Sequence, residues 1–234
     1  MDVEQLMEDM TVDRLEEVKA GAQETRQLMA YYQCAIMEIE TKCNVLNSLF
    51  NAKRQYNPID TIKTRLKSPE SILEKLQRRN LPITLESIEE NLTDVAGVRI
   101  ICPFEEDIYT VSECLLSQDD VYLKESKDYI KRPKGNGYRS LHLIVETPVY
   151  RPDGKRLVTV EIQLRTIAME FWANLEHRLR YKKALDPDLA ADLSHELREA
   201  ADDSAALDER MGKIRRKIDA CRTFTEESPN GTWQ

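Results

Sequence analysis

The stretch Val158-Thr159-Val160-Glu161-Ile162-Gln163-Leu164-Arg165 alternates throughout, with apolar residues at even positions and polar residues at odd ones. A period of two places Glu161, Gln163 and Arg165 on one face of a strand. A solvated outer face is the ordinary reading of such alternation. Here, however, the polar set is not the usual Lys/Glu/Thr mixture, and the flanking stretch 139–149 offers Arg139 and His142. A second acid begins Asp94-Val95-Ala96-Gly97-Val98-Arg99-Ile100, in which Arg99 alternates with Val98 and Ile100 and so leaves the core face. Gly97 permits a close backbone approach. An acid at a strand edge beside an arginine suits a Mg2+ ligand next to a phosphate clamp, and suits a salt bridge equally well.

Cations gather near these acids. Ser71, Lys75, Arg78 and Arg79 fall at i, i+4, i+7 and i+8, one face of a helix, just after Arg65 and Lys67. A triphosphate needs several charged donors, although a solvated basic face is the plainer alternative. The loop Lys134-Gly135-Asn136-Gly137-Tyr138-Arg139-Ser140 holds two of the chain's seven glycines beside Lys, Tyr and Arg. Glycines let backbone amides approach a phosphate, and a tyrosine can stack on a base; a hairpin-type turn is the alternative. Neither GxxxxGK[ST] nor GxGxxG occurs. Two carboxylates, several cations and one base platform are the parts that metal-assisted phosphoryl transfer requires.

The elements that must position these residues follow from pattern. Residues 12–54 read as helix, expected as two helices with a break near Gly21, and Leu28, Tyr32, Ala35, Ile39, Cys43, Leu46 and Phe50 make one apolar stripe for packing. Asn57-Pro58 breaks this element. Ser68-Pro69-Glu70 starts a new helix, running to about Arg79, with an N-cap serine, a proline at the first position and an acid in the first turn. Strands are expected at 97–104, 121–126, 139–149 and 156–165, with a helix from Glu106 to Ser117. Arg151-Pro152-Asp153-Gly154 is the turn joining the last two strands. Helix returns at 167–184, breaks at Asp186-Pro187, and resumes over 188–222; the last dozen residues read as frayed. The order implies an α+β fold, a core of about five strands with helical arms at both ends.

Composition bounds the rest. With 234 residues, 41% hydrophobic and 32% charged, the chain suits one globular domain with a core. No apolar run approaches the roughly 20 residues that span a membrane, and the acidic start lacks a signal-peptide plan; a cytoplasmic protein is expected. Five scattered cysteines without CxxC spacing, and three histidines without HxxxH, give neither a disulfide framework nor a zinc site. The net charge of −8 argues against a whole-protein field for nucleic acid. Positive charge is instead local, at Lys63, Arg65, Lys67, Lys75, Arg78 and Arg79 and again at Lys131, Arg132, Lys134 and Arg139. Such patches in an acidic chain fit a small anionic ligand.

Taken in order, these segments resemble the RelA/SpoT-type alarmone synthetase domain. The resemblance is carried by Arg65-x-Lys67, Ser71-Ile72-x-x-Lys75-Leu76-x-Arg78, Asp94-x-x-Gly97-x-Arg99-Ile100, Asp128-Tyr129-Ile130, Pro133-Lys134-x-Asn136-Gly137-Tyr138-Arg139-Ser140-Leu141-His142, Glu161-Ile162-Gln163-x-Arg165-Thr166 and Trp172-Ala173-x-x-Glu176-His177. It runs from about Arg65 to Lys182, roughly half the chain.

The resemblance implies a nucleotidyltransferase-like mixed sheet of about five strands flanked by helices, within one synthetase domain over 1–234. Residues 1–56 would be N-terminal helices, 57–184 the catalytic core and 185–234 a C-terminal helical extension. It implies a small synthetase without the hydrolase and regulatory domains of long members, acting in the stringent response. The 3′-hydroxyl of GDP or GTP would attack the β-phosphorus of ATP, and AMP would leave. Asp94 and Glu161 would be the catalytic pair and the Mg2+ ligands, with Glu161 also the base. Arg65, Lys67, Ser71, Lys75, Arg78 and Arg99 would hold ATP. Lys134, Asn136, Tyr138, Arg139, His142 and Gln163 would hold the guanine nucleotide. Homotetramer assembly is implied, and single-stranded RNA is a further partner because some relatives bind it. Glu176 and His177 match the family without a physical role. Some small synthetases are activated by product in a central cleft; Thr61, Lys63 and Glu170 do not match that cleft, and Glu170 is expected to repel such an effector. A non-catalytic guanine-nucleotide or single-stranded RNA binding module is the alternative on the same scaffold.

Overall fold

A computed structural model describes the backbone of residues 3–52, 56–180 and 187–226, and the side chains of 21–52, 56–179 and 193–221. Among the described residues, eleven elements follow in order: α1 (Val3–Ala52), β1 (Thr61–Leu66), α2 (Pro69–Arg78), α3 (Leu85–Asn91), β2 (Ala96–Cys102), α4 (Glu105–Leu116), β3 (Tyr122–Asp128), β4 (Leu141–Arg151), β5 (Gly154–Thr166), α5 (Ile167–Arg180) and α6 (Pro187–Glu226). The strands form one mixed sheet in the order β1-β2-β5-β4-β3. Only β2 and β5 pair in parallel; the other three pairs are antiparallel. The fold is therefore the α+β, five-stranded, helix-flanked architecture that the sequence implies.

Alternation decides which face of the sheet is dry. Val158, Val160, Ile162 and Leu164 of β5 are buried, as are Val98 and Ile100 of β2 and Leu141, Leu143 and Val145 of β4. Against them packs the stripe of α1, where Leu28, Tyr32, Ala35, Ile36, Ile39 and Cys43 are buried, together with Ile108, Val111 and Leu115 of α4. Each fully buried aliphatic side chain contributes about 1.5–3 kcal/mol. The opposite face carries the odd-numbered polar residues of β5, and this face builds the site.

Several expectations change. The expected break near Gly21 is absent, since α1 runs unbroken through it. A lone glycine weakens a helix without ending it, and a Cβ added there would meet nothing within 4 Å. Strand β1 and the short helix α3 were not expected. The strand expected to start at 139 starts at Leu141, and the one expected to reach 104 ends at Cys102. The break expected at Asp186-Pro187 falls at residues 181–186, outside the described residues, as does Lys182; α6 begins at Pro187 and runs to Glu226, so of the last dozen residues, expected to be frayed, 223–226 are helix and 227–234 lie outside the described residues. The helix expected at 69–79 forms with its cap in place: the Ser68 hydroxyl accepts from the Ser71 amide, and Pro69 occupies the first turn.

Candidate functional site

The register of the sheet gathers the site from four strands. Arg65 pairs with Gly97 and Lys63 with Arg99 across β1 and β2. Gly97 lies opposite Glu161, and Arg99 opposite Gln163, across β2 and β5. His142 of β4 lies on the other side of Gln163. A cavity of about 390 Å³ opens on this face, lined by Lys63, Thr64, Arg65, Lys67, Asp94, Gly97, Val98, Arg99, Glu161 and Gln163. Four cations facing two carboxylates leave the lining positive, which favours a polyphosphate.

Asp94 sits where the chain turns into β2. Its Oδ2 accepts from both Lys67 and Lys75, each at 2.7 Å. Its Oδ1 is buried and has no hydrogen-bond partner among the described residues. Burial works to raise the Asp94 pKa, but the two lysines outweigh it and hold the carboxyl below its ordinary value. Glu161 is treated similarly. Burial raises its pKa, while His142 and Gln163 bring it below the ordinary range. His142 Nδ1 lies 3.1 Å from Glu161 Oε1, and Gln163 Nε2 donates to Glu161 Oε2 at 2.8 Å.

From His142 the network continues to the loop before β4. His142 Nε2 is 2.8 Å from the Tyr138 hydroxyl, which also accepts from Arg165 Nη2 at 2.6 Å. One assignment satisfies every group: Tyr138 donates to Nε2, and a neutral imidazole donates through Nδ1 to Glu161. Lys134 Nζ lies over the rings of Tyr129 and Tyr138, at 4.5 and 4.8 Å from their centroids. The Asn136 amide donates to Glu176 at 3.3 Å, which gives Glu176 the role that sequence did not supply.

Gly137 is needed for a different reason from the one expected. Its φ is +88°, and an added Cβ would lie 2.4 Å from Ala201 Cβ of α6. Its amide donates inside the loop, to the Lys134 carbonyl at 2.8 Å, and the Lys134 amide donates to the Tyr138 carbonyl at 3.1 Å. Helix α6 thus presses on the loop, and Arg198 donates to the carbonyls of Lys134 and Gly135.

Not every expected residue converges here. Lys67 lines the cavity and Lys75 reaches it through Asp94, whereas Ser71 and Arg78 neither line it nor pair with its carboxylates. Ser71 serves the N-cap of α2, and Arg78 is exposed. Arg79 donates to the Asn91 carbonyl and leaves the expected cationic face. Arg139 does not join the Tyr138 network: it pairs with Glu105 at 2.6 Å and Asp208 at 3.7 Å, tying the loop before β4 to α4 and α6. Glu170 departs most from expectation. It is 7% exposed and paired with Lys63, Arg99 and Arg165, so its charge is compensated locally and is not presented to an effector. Lys63 and Glu170 were missed as site residues. Alternation in Thr61–Leu66 marks Lys63 with Arg65, whereas Glu170 follows only from the packing of α5.

Residues 64–186 match the model of the region found in RelA / SpoT proteins. The chain belongs to the RelA/SpoT family. It is 42% identical over 211 residues to the GTP pyrophosphokinase YwaC of Bacillus subtilis, covering 90% of this chain and all of that one. It is 36% identical over 203 residues to the GTP pyrophosphokinase YjbM of the same organism, covering 87% and 94%. Among solved structures, the RelA/SpoT fold is shared with the small alarmone synthetase 1 of B. subtilis bound to its product pppGpp. The TM-score is 0.77 at 36% identity, over 84% of this chain and 98% of that one. The small alarmone synthetase 2 of B. subtilis superposes with a TM-score of 0.73 at 41% identity, over 83% and 99%.

Proposed function

We propose that the chain is a GTP pyrophosphokinase that transfers the βγ-pyrophosphoryl group of ATP to the 3′-hydroxyl of GDP or GTP. The observation that carries the reading is the union of two sites in one network. A positive cavity holding Asp94 and Glu161 is joined through His142 to a tyrosine-bearing loop. The near-full-length similarity to two GTP pyrophosphokinases supports it.

ATP phosphates are met by Arg65, Lys67, Lys75 and Arg99, whose guanidinium and ammonium groups match their charge. The guanine base stacks on Tyr138, with Lys134 beside it to reach phosphate. The 3′-oxygen attacks the β-phosphorus, the bond from that phosphorus to the α,β-bridging oxygen breaks, and AMP leaves with both electrons. The hydroxyl proton passes to Glu161, which is ionised at neutral pH because His142 and Gln163 outweigh its burial. A carboxylate held this low is a weak base, so the proton moves as the new bond forms. Positioning and electrostatics carry most of such a transfer.

Mg2+ fits the donors present. Asp94 Oδ1 is a buried oxygen lacking a partner among the described residues, and Glu161 faces the same cavity. One or two carboxylates plus substrate phosphates are the usual set for this ion. Bound there, it would neutralise charge on the transferred group.

Assembly as a homotetramer belongs to the same reading. A groove of about 720 Å³ along α5 and α6 exposes Ile167, Phe171, Leu207 and Met211, an apolar face that a second copy would cover. Light scattering after size exclusion measures the assembly directly. No helix among the described residues is long and apolar enough to cross a membrane.

The activity is tested by incubating the purified chain with ATP, GDP or GTP, and Mg2+, then separating nucleotides by anion exchange. AMP forming in equal amount with a more highly phosphorylated guanine nucleotide is the expected result. ADP in place of AMP, or no new guanine nucleotide, would refute the proposal.

A further inference from the structure

Glu170 stands in the first turn of α5, almost wholly buried, and the transfer as written has no use for an acid there. Its two oxygens face different ways. Oε1 accepts from Lys63 at 3.1 Å and from Arg99 Nη1 at 3.2 Å. Oε2 accepts from Arg165 Nη1 at 2.9 Å. Arg99 and Arg165 also share Gln163 Oε1, at 3.3 and 2.9 Å. Two guanidinium groups on one amide oxygen repel each other unless an anion lies between them. Glu170 is that anion. Arg165 then reaches on through Nη2 to the Tyr138 hydroxyl, 2.6 Å away, and its guanidinium lies 5.1 Å from the Tyr138 ring centroid.

The carboxylate therefore has one oxygen on the cavity arginine and one on the arginine that fixes the loop tyrosine. Phosphate entering the cavity draws on Arg99, weakening its hold on Oε1. The freed carboxylate charge then strengthens the contact with Arg165, and Arg165 steadies Tyr138. Buried charged networks carry such effects because the surrounding dielectric is low. We propose that Glu170 is a positioning residue that couples the two nucleotide sites, so that filling the cavity with ATP tightens binding of the guanine nucleotide at Tyr138. The inference rests on the placement of ATP and guanine given under Proposed function. A residue acting this way touches neither nucleotide and shows itself in the coupling between them.

Calorimetric titration of GDP reads that coupling, with and without saturating ATP analogue whose α,β-bridging oxygen is replaced by carbon. The wild type is expected to bind GDP at least about fivefold more tightly with the analogue present, within the usual span of such couplings. Glu170→Gln keeps the shape and removes the charge; each nucleotide still binds alone, and the enhancement falls below about twofold. Because removing one member of a buried ion cluster can unfold a chain, Tyr138→Phe provides a second test. It retains the ring and loses only the hydroxyl contact to Arg165 and His142, and it too is expected to lose the enhancement. A wild type without enhancement, or either variant keeping it in full, overturns the inference. A ratio of affinities is insensitive to the folded fraction, so a purely structural role for Glu170 leaves it unmoved. Transfer is measured separately. A wild type that shows coupling but forms no product refutes the pyrophosphokinase reading and leaves the coupling standing, whereas one that binds neither nucleotide overturns both.

Discussion

Replacing Gly137 by alanine tests whether α6 sets the position of the nucleotide loop. The new Cβ would stand 2.4 Å from Ala201 Cβ and 3.2 Å from Arg198 Cδ, on a residue whose φ is +88°. Carbon atoms rest at about 3.5–4.0 Å, so loop and helix must separate by roughly 1 Å or more. The left-handed backbone costs a non-glycine residue about 1–2 kcal/mol, and overpacking a filled site about 1–3 kcal/mol. The variant is therefore expected to lose about 2–5 kcal/mol, seen as a fall in Tm of roughly 4–20 °C. A displacement near 1 Å at a positioning element can lower turnover by ~100-fold. Because the loop carries Tyr138 and Lys134, the loss is expected in kcat/KM for the guanine nucleotide, with the KM for ATP little changed. Gly135→Ala is the control: that position is exposed, and its Cβ would meet nothing within 4 Å. It should match the wild type in both assays. A Gly137→Ala variant indistinguishable from Gly135→Ala in Tm and guanine KM would refute the claim that α6 bears on this loop.

Further outcomes follow from the same structure. Gly21→Ala should raise stability by about 0.5–1 kcal/mol, because an exposed glycine inside one continuous helix is replaced by the best helix former; thermal melting measures it, and a neutral result would favour a break there. Glu161 has its pKa lowered from an ordinary 4.5, so its pairing adds stability above that value and loses it as pH falls through the folded-state pKa. In His142→Ala, burial, the largest influence on Glu161, loses its main opponent; the acid limb of kcat/KM should move to higher pH, and an unmoved limb would show that His142 does not govern the acid.

The strand that bears Glu161, Gln163 and Arg165 was legible because a half-buried strand writes its two faces into alternate residues. The α1 stripe was legible for the corresponding reason at helical spacing. Strand β1 was not. It is an edge strand of six residues, mostly exposed, and only its pairing with β2 brings Lys63 beside Arg99. Local pattern carries no record of such long-range register. The same holds for Glu170, which meets its arginines through the packing of α5. It holds also for Gly137, which faces a helix more than sixty residues further along the chain. Arg139 had the right type and neighbourhood for a phosphate ligand, yet in the fold its guanidinium pairs with Glu105 and Asp208. Charge near a site is visible in sequence; the direction in which a long side chain turns is decided by tertiary packing.

In the proposed reaction, Asp94 and Glu161, at one cavity, serve transfer to a guanine nucleotide held on the adjoining loop. Glu161→Gln isolates the role of the acid, because the amide keeps nearly the same shape while losing the charge and the proton acceptor. Single-turnover AMP release is measured beside direct binding of ATP and GDP. The transfer rate is expected to fall by roughly 10²–10⁴-fold, the usual contribution of a general base, with both nucleotides still bound. A variant that transfers pyrophosphate at the wild-type rate would contradict that role.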